Sequence, residues 1–296
     1  MKHSILITAY KDYEQLVDLI QSLHTSFDIY IHIDKKSTYT KSNIEALKDM
    51  EHVRYVIKKY NIFWGGLNHL KSVLLLLTQA VNNNSNGYFH FITAQDYPIK
   101  SNAYIVNYFI ENKGAEFLDF YDFPRVEGAN NGGVDRIVYY NFNDIFNFKK
   151  PRGKKNIKRL IALQKKVGFK RKFPKHFPKI YGGSTYWSLS YECSKYVLDY
   201  LIKNKSFLRR FKYTLCAEEY VFQTIIMNSK FKENVVNNNL RYIDWVARNG
   251  NNPANLDITD YEKLINSNKI FGRKFELPLS LKLLNKIKMN TSNKLY

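Results

Sequence analysis

Short apolar strands alternate with amphipathic helices over the first 120 residues, and this alternation constrains the fold more than any other feature. Five segments have the length and apolar character of strands: Ser4–Thr8, Asp28–Ile33, Val53–Ile57, Tyr88–Ile92 and Glu116–Phe120. Four segments between them carry apolar residues at helical spacing: Tyr13–Leu23, Asn43–Met50, Leu67–Val81 and Tyr104–Ile110. Such alternation predicts an α/β fold, in which a mostly parallel sheet is flanked by helices.

Ligands of parallel α/β sheets bind beside the carboxyl ends of the strands. The candidate binding residues are those that come after a predicted strand: Ala9-Tyr10, Asp34-Lys35, Trp64-Gly65-Gly66 and Gln95–Pro98. Neither a Rossmann glycine fingerprint nor a Walker A loop is present, which argues against dinucleotide-dependent dehydrogenases and P-loop ATPases. Because no Asp-x-Asp pair follows a strand, a bound nucleotide diphosphate would need positive charge from other groups.

The second half of the chain has a different pattern. Glycines precede Ser, Thr and aromatic residues in the stretch 181–187, which indicates a tight turn or a close approach of the backbone to a ligand. Two helices are predicted after it, from about Tyr191 to Ile202 and from about Ala217 to Met227. Leu277–Lys288 resembles a short basic amphipathic helix, which either lies on an anionic membrane or packs back on the domain.

Positive charge is concentrated in one segment. The chain has 46 Lys and Arg against 26 Asp and Glu, a net charge of +20, and fourteen basic residues but no acidic residue lie between Lys149 and Lys179. Such a segment suits nucleic acid, anionic lipid or a phosphorylated substrate, or is a solvated surface insertion. A nucleic-acid-binding protein, the alternative from another class, would interleave many aromatic residues with the basic ones. The segment holds only Phe169, Phe173 and Phe177, so nucleic acid is not an expected partner.

Cysteine content and hydropathy indicate the cellular compartment in which the protein is expected. Cys193 and Cys216 are too few for a disulfide framework and lack metal-ligand spacing, so both are predicted to be buried thiols. No apolar segment follows the amino terminus, and no run reaches the roughly 18 to 20 apolar residues that span a bilayer. We therefore expect a cytoplasmic protein, which the basic segment attaches peripherally to the inner face of the cell membrane.

Six short motifs occur in the order seen in a known enzyme family. They are Ile31–Lys35, Trp64-Gly65-Gly66, Ala94–Lys100, Gly182-Gly183-Ser184 with Trp187, Ala217–Tyr220 and Phe271–Glu276. Together they resemble the Core-2/I-branching β-1,6-N-acetylglucosaminyltransferase family, which also contains the peptide O-xylosyltransferases. The resemblance implies a GT-A type fold. Secreted relatives carry a membrane anchor and many disulfides, and neither is expected here, so this member is expected to be bacterial and cytoplasmic.

The resemblance implies an inverting glycosyltransferase that requires no divalent metal. It would move a sugar, GlcNAc or xylose, from a UDP-sugar donor to the hydroxyl of a saccharide or lipid-linked saccharide in the synthesis of a surface glycan. A single catalytic domain is expected over residues 1–276, with a nucleotide-sugar-binding half to about residue 140, the basic insertion 141–180 and a catalytic and acceptor half 181–276. Residues 277–296 would form a basic amphipathic tail.

Glu219 matches the family's catalytic base, and Arg273 and Lys274 match its basic pair for the donor pyrophosphate. From the residues alone, a glutamate at a helix start is also explained by the helix dipole, and two adjacent cations by a solvated surface. The resemblance favours the functional interpretation, because negative charge grows on the leaving phosphate and two cations stabilise it without a metal. Glu218 points about 100° away around a helix and is the less favoured base.

The remaining site residues follow from the same comparison. Asp96 corresponds to an acid that contacts the donor sugar, Asp34 ends a strand near the nucleotide, and Arg248, or else Arg241, would be a further donor-binding arginine. The predicted acceptor or sugar pocket consists of Trp64, Gly65, Gly183, Ser184 and Trp187. A catalytically inactive, glycan-binding scaffold is the last alternative, and the presence of Glu219, Arg273 and Lys274 argues against it.

Overall fold

The computed structural model describes residues 2–23, 26–83, 87–125 and 130–292. Strands and helices alternate in its first half, as the sequence predicts. Each predicted end lies within two residues of the observed one. The elements are β1 His3–Ala9, α1 Tyr13–Gln21, β2 Phe27–Ile33, α2 Lys41–Lys48, β3 Val53–Ile57, α3 Leu67–Asn83, β4 Tyr88–Thr93, β5 Asp96–Pro98, α4 Asn102–Glu111 and β6 Glu116–Asp122.

The second half is richer in helices. Its elements are α5 Asp135–Val138, α6 Pro151–Lys166, β7 Tyr181–Ser190, α7 Tyr191–Lys203, α8 Lys205–Phe211, α9 Val221–Met227, β8 Val235–Val236, β9 Arg241–Ile243, α10 Tyr261–Ile265, β10 Phe271–Arg273 and α11 Leu281–Ser292. The basic segment predicted from the charge pattern therefore consists of α6 and the irregular chain that leads to β7.

Among the described residues, seven strands form one sheet in the order β3-β2-β1-β4-β7-β6-β8. β1 pairs in parallel with β2 and β4, and β2 pairs in parallel with β3, whereas β7 runs antiparallel to β4 and β6. A smaller sheet, β5-β10-β9, places Arg273 of β10 opposite Asp96 of β5. The predicted α/β fold with a mostly parallel sheet is confirmed.

Helices cover both faces of the large sheet because side chains alternate between the two faces of each strand. Ile5 and Ile7 of β1 pack with α1, α4 and α11, whereas Leu6 packs with α3, α7 and α9. Burial of one such side chain contributes roughly 1.5–3 kcal/mol. Cys193 and Cys216 are free and buried, as predicted.

The carboxyl-terminal helix α11 packs back on the domain. Leu283, Leu284 and Ile287 are at most 2% exposed and belong to the same cluster as Ile5. Lys288 forms an ion pair with Asp18 of α1. Of the two alternatives for this basic amphipathic segment, packing on the protein is the one observed, so its apolar side is not available to a membrane. No helix in the described ranges is both long and apolar enough to cross a bilayer.

The second half departs from the prediction at two places. The stretch 181–187, expected as a tight turn or a ligand-contacting segment, is the start of β7. Only glycine fits at position 183, because a Cβ there would lie 1.8 Å from the carbonyl oxygen of Asp119 in β6. The helix expected from Ala217 is interrupted, since a 3₁₀ turn, Ala217–Glu219, precedes α9.

Candidate active site

Glu219 is the last residue of the 3₁₀ turn before α9, and its side chain is 28% exposed. Its Oε2 accepts a hydrogen bond from Nη2 of Arg136 in α5 at 2.5 Å. Burial raises the pKa of Glu219, and the charge of Arg136 opposes this rise without cancelling it. The site thus holds an accessible carboxylate whose proton affinity is above the usual value, as a general base requires.

The Trp64-Gly65-Gly66 motif supports the turn that carries Glu219. The carbonyl oxygen of Gly65 accepts a hydrogen bond from the Cys216 amide at 3.0 Å. Gly65 has a φ of +75°, and a Cβ there would lie 2.4 Å from Leu215 Cδ1, so this contact requires glycine. Trp64 itself is 48% exposed, and its ring centroid is 5.2 Å from that of Phe148. Gly65 therefore contacts the turn that carries the candidate base, and Trp64 directly precedes it in the chain.

Glu218 has a different environment from its neighbour. Its side chain is buried, and its Oε1 lies 3.0 Å from Nδ1 of His69 in α3. The broken helix turns Glu218 into the protein and leaves Glu219 accessible, in agreement with the predicted choice between them. Sequence reasoning did not identify His69 or Arg136, which are far from the Ala217–Tyr220 motif along the chain.

Arg273 and Asp96 form a buried pair. Nη1 of Arg273 donates hydrogen bonds to Asp96 Oδ1 and to Thr93 Oγ1, both at 2.6 Å. The other Asp96 oxygen accepts from the Thr93 amide at 2.6 Å, and the Asp96 side chain is fully buried. Asp96, predicted to contact the donor sugar, instead orients Arg273 here, because its carboxylate lies beneath the guanidinium rather than at the surface.

Lys274 lies among charged groups near the carboxyl end of β1. Burial, together with the charges of Arg273, Lys11 and Lys149, lowers the pKa of Lys274 to about 8, and the charge of Glu276 opposes this. Lys11 itself forms ion pairs with Glu276 and Asp12. The ammonium groups of Lys11 and Lys149 each lie 5.8 Å from the Tyr10 ring centroid. The first lysine of the basic segment thus reaches the carboxyl end of the sheet, which the sequence pattern did not indicate.

Tyr186 of β7 lies next to Arg273 and is influenced by the charge of the candidate base. The Cζ atom of Arg273 is 5.0 Å from the centroid of its ring. Burial raises the pKa of the Tyr186 hydroxyl, and the charges of Arg273 and Glu219 act on it in opposite directions. Because such interactions weaken with distance, Glu219 and Arg273 both lie in the neighbourhood of this ring, and we take them together as the candidate site.

Three residues predicted to line the sugar pocket also make contacts within the protein. Trp187 is 0% exposed and packs against Phe222 of α9 with ring centroids 4.8 Å apart. The backbone of Gly183 lies against β6, and the carbonyl oxygen of Ser184 accepts a hydrogen bond from Gln223 at 2.7 Å. The prediction is corrected for Trp187 in particular, because strand alternation directs its indole into the core beneath the site.

Asp34 and Arg248 both form ion pairs within the protein. Both oxygens of Asp34 contact the Lys36 ammonium, at 2.6 and 2.9 Å. Arg248 pairs with Asp260 at 2.6 Å and with Asp257 at 2.9 Å. The alternative arginine, Arg241, is buried and donates to backbone carbonyls of the core. Carboxylates therefore pair directly with Arg248, whereas Lys274 forms no ion pair with a described carboxylate.

The comparison with known families agrees with this arrangement. The family model of the Core-2/I-branching enzyme matches residues 5–265. The chain belongs to the Core-2/I-branching enzyme family. The resemblance inferred from six motifs is thereby confirmed, and the matched range includes Glu219. Arg273 and Lys274 lie just beyond this range, in β10 and directly after it.

Relatives of this Core-2/I-branching enzyme include two curated xylosyltransferases. Xylosyltransferase 1 of Mus musculus is 25% identical over 249 residues, which cover 82% of this chain and 23% of the relative. Xylosyltransferase 2 of Canis lupus familiaris is 26% identical over 244 residues, which cover 80% of this chain and 25% of the relative. The chain thus spans about a quarter of the length of these relatives. A crystal structure of Staphylococcus aureus TarS 1–349 matches with a TM-score of 0.31 and 18% identity, covering 44% of this chain and 38% of that one.

Proposed function

We propose that this Core-2/I-branching enzyme is an inverting glycosyltransferase, which transfers GlcNAc or xylose from a UDP-sugar to a saccharide hydroxyl without a divalent metal. One observation carries the proposal: an accessible carboxylate with a raised pKa and the guanidinium of Arg273 both lie near the ring of Tyr186. Family membership favours this chemistry over a nucleic-acid-binding role or that of an inactive scaffold.

In the proposed reaction, Glu219 accepts the proton of the acceptor hydroxyl as its oxygen attacks the anomeric carbon. The new bond forms on the side opposite the departing UDP, so the anomeric configuration inverts. Arg136 keeps Glu219 oriented and ionised through its hydrogen bond. Deprotonation by a positioned base of this kind typically contributes roughly 10²–10⁴-fold to the rate.

The positive cluster would stabilise the leaving UDP. Arg273 is held in place by Asp96 and Thr93, and Lys274 lies next to it with Lys11 and Lys149 nearby. Fixed cations at the point where charge develops lower the barrier, because they require no reorganisation during the reaction. Trp64, which is exposed and packs against Phe148, offers an aromatic surface for the acceptor saccharide.

The acceptor in this proposal is a saccharide or lipid-linked saccharide of a bacterial surface glycan, and the enzyme works in the cytoplasm at the inner face of the membrane. The basic segment supports this setting, since each Lys or Arg near an anionic surface contributes roughly 1 kcal/mol to binding. Fourteen such residues lie between Lys149 and Lys179.

Calorimetric titration with a panel of UDP-sugars in EDTA tests the proposal. One UDP-sugar is expected to bind without metal and to bind more weakly to the Lys274→Gln variant, because the ammonium would face its diphosphate. UDP-mannose and GDP-mannose serve as negative controls. Binding that requires Mn²⁺, or no binding by any member of the panel, would contradict the metal-independent mechanism.

Donor affinity should decrease as the pH rises above 8. The pKa of Lys274 is lowered to about 8, so the side chain is charged below this pH and progressively neutral above it. If binding needs the charged form, the apparent Kd rises by up to about tenfold per pH unit above 8. Titrations of the UDP-sugar from pH 7 to 9.5 measure the effect. In a Lys274→Arg variant, which stays charged, the Kd should be nearly constant, and an equal slope in both proteins would assign the effect to another group.

A further inference from the structure

A surface pocket of about 420 Å³ lies beyond the carboxyl end of α6 and shares no lining residue with the candidate active site. Six of its lining residues are basic, three are aromatic and none is acidic. They are Tyr140, Phe169, Lys170, Arg171, Lys172, Arg209, Arg210, Lys212 and Tyr213. We call this the Arg171–Arg210 pocket. Its volume lies in the range of small-ligand sites.

The two arginines of the pocket are held by the backbone. Arg171 donates hydrogen bonds to the carbonyl oxygens of Ile137 at 3.3 Å, of Lys212 at 2.8 Å, and of Arg210. Arg210 donates from Nε to the carbonyl oxygen of Lys172 at 3.2 Å and from Nη2 to that of Arg171 at 3.4 Å. Neither guanidinium has a carboxylate partner within the part of the chain that the structure describes, so their two charges are not neutralised.

Other arginines of this protein do have carboxylate partners. Arg136, Arg248 and Arg273 each pair with at least one carboxylate. In the Arg171–Arg210 pocket, burial lowers the pKa of both arginines, and the charge of Arg171 contributes to a pKa of about 10 for Arg210. Nη1 of Arg210 is buried and has no hydrogen-bond partner among the described residues. Buried positive charge of this kind is unfavourable unless an anion compensates it.

Aromatic rings fix the orientation of both guanidiniums. The Cζ atom of Arg171 lies 4.6 Å from the Tyr140 ring centroid, and that of Arg210 lies 3.6 Å from the Phe173 centroid. Tyr140 in turn stacks on Phe169 with centroids 5.7 Å apart. Because stacking and backbone hydrogen bonds both restrain the side chains, the pocket is organised before any ligand enters.

We propose that the Arg171–Arg210 pocket binds a phosphoryl anion, a phosphate or diphosphate ester, at a second site separate from the donor site. Guanidinium groups match the oxygen geometry of phosphate, and six basic residues favour an anion with more than one negative charge. The inference does not depend on the proposed transferase activity. The ester either is a soluble molecule or is the headgroup phosphate of a lipid.

Titration of the full chain with inorganic pyrophosphate tests the site. In the variant Lys172→Gln/Arg209→Gln/Lys212→Gln, three exposed lining charges are removed while the backbone hydrogen bonds of Arg171 and Arg210 remain. The matched control Lys154→Gln/Lys155→Gln/Lys158→Gln removes three exposed charges from α6. We expect the Kd to rise about tenfold or more in the pocket variant and by less than about twofold in the control, because only the pocket variant removes charges that would form charge-assisted hydrogen bonds with the anion.

Carrying out these titrations in a Lys274→Gln background separates the pocket from the donor site. Saturable binding that survives this background and is lost in the pocket variant supports the pocket, whether or not a UDP-sugar binds elsewhere. The proposal is overturned if pyrophosphate shows no saturable binding, or if both triple variants lose affinity equally, since net charge alone would then account for the interaction.

Vesicle flotation distinguishes the two sources of the phosphate. Vesicles of phosphatidylglycerol and phosphatidylcholine are compared with vesicles of phosphatidylcholine alone. If the pocket variant, but not the α6 control, loses flotation with the anionic vesicles, the ligand is a lipid phosphate. If pyrophosphate binding depends on the pocket and flotation does not, the ligand is a soluble phosphate ester.

Discussion

Glu219→Gln is expected to reduce the turnover of this Core-2/I-branching enzyme by roughly 10²–10⁴-fold, the range that a positioned general base contributes. Glutamine has the size of glutamate, and its amide oxygen can still accept the hydrogen bond that Arg136 donates to Glu219. The change therefore removes the ability to accept a proton while it preserves the shape of the site. Release of UDP in the presence of an acceptor measures turnover, and calorimetry should show that the variant still binds the UDP-sugar.

The neighbouring glutamate provides the control for this prediction. Glu218 is buried beside His69, so Glu218→Gln should lower turnover by less than about tenfold, through small adjustments of the turn. A larger loss in the Glu218 variant than in the Glu219 variant would identify Glu218 as the base. Equal and small effects in both would show that proton transfer to this turn is not part of the reaction.

Arg273→Met is expected to lower the free energy of unfolding by roughly 3–5 kcal/mol, the usual loss when one partner of a buried ion pair is removed. The Asp96 side chain is fully buried, and Arg273 is its ion-pair partner at 2.6 Å. Without the guanidinium, the carboxylate must remain charged in an apolar setting or bind a proton, and both alternatives destabilise the folded state. Urea unfolding followed by circular dichroism gives the free energy.

A double-mutant cycle shows whether this loss arises from the pair. Asp96→Asn removes the carboxylate charge, so Arg273→Met should cost much less in the Asp96→Asn protein than in the wild type. Additive losses would mean that Arg273 stabilises the fold through other contacts, such as its position over Tyr186.

Lys274→Met is the matched control for Arg273→Met, because the adjacent ammonium has a lowered pKa and no ion-pair partner among the described side chains. Its removal should leave stability nearly unchanged while donor binding weakens.

Several parts of the fold could be predicted because the signals are local. A strand such as β3 or a helix such as α3 is recognised from the spacing of apolar residues within one element, and both were predicted within two residues of their observed ends. The order of six motifs likewise predicted the family, which the matched range 5–265 confirms. The break of the helix at Glu219 was not predictable in this way, since it depends on Cys216 adopting a left-handed conformation against Gly65.

The sequence missed Arg136 and the pairings between residues that are distant along the chain. Arg136 lies 83 residues before Glu219, and no pattern connects them. Asp96 and Arg273 are 177 residues apart and meet only because β10 pairs with β5. For Trp187 the aromatic residue type suggested a sugar contact, but its place in β7, between β4 and β6, directs the indole into the core.

The sequence by itself determined most strands and helices of the first 120 residues, the mostly parallel α/β architecture, the family and the choice of Glu219 as the candidate base. These depend on periodicity and on short motifs, which are properties of neighbouring residues. Only the tertiary structure decided that Arg136 holds Glu219, that Asp96 lies beneath Arg273, and that Lys274 has a lowered pKa and no direct ion pair among the described residues. The reason is physical: burial and electrostatic pairing depend on distances in space, and these are set by the order and register of the strands.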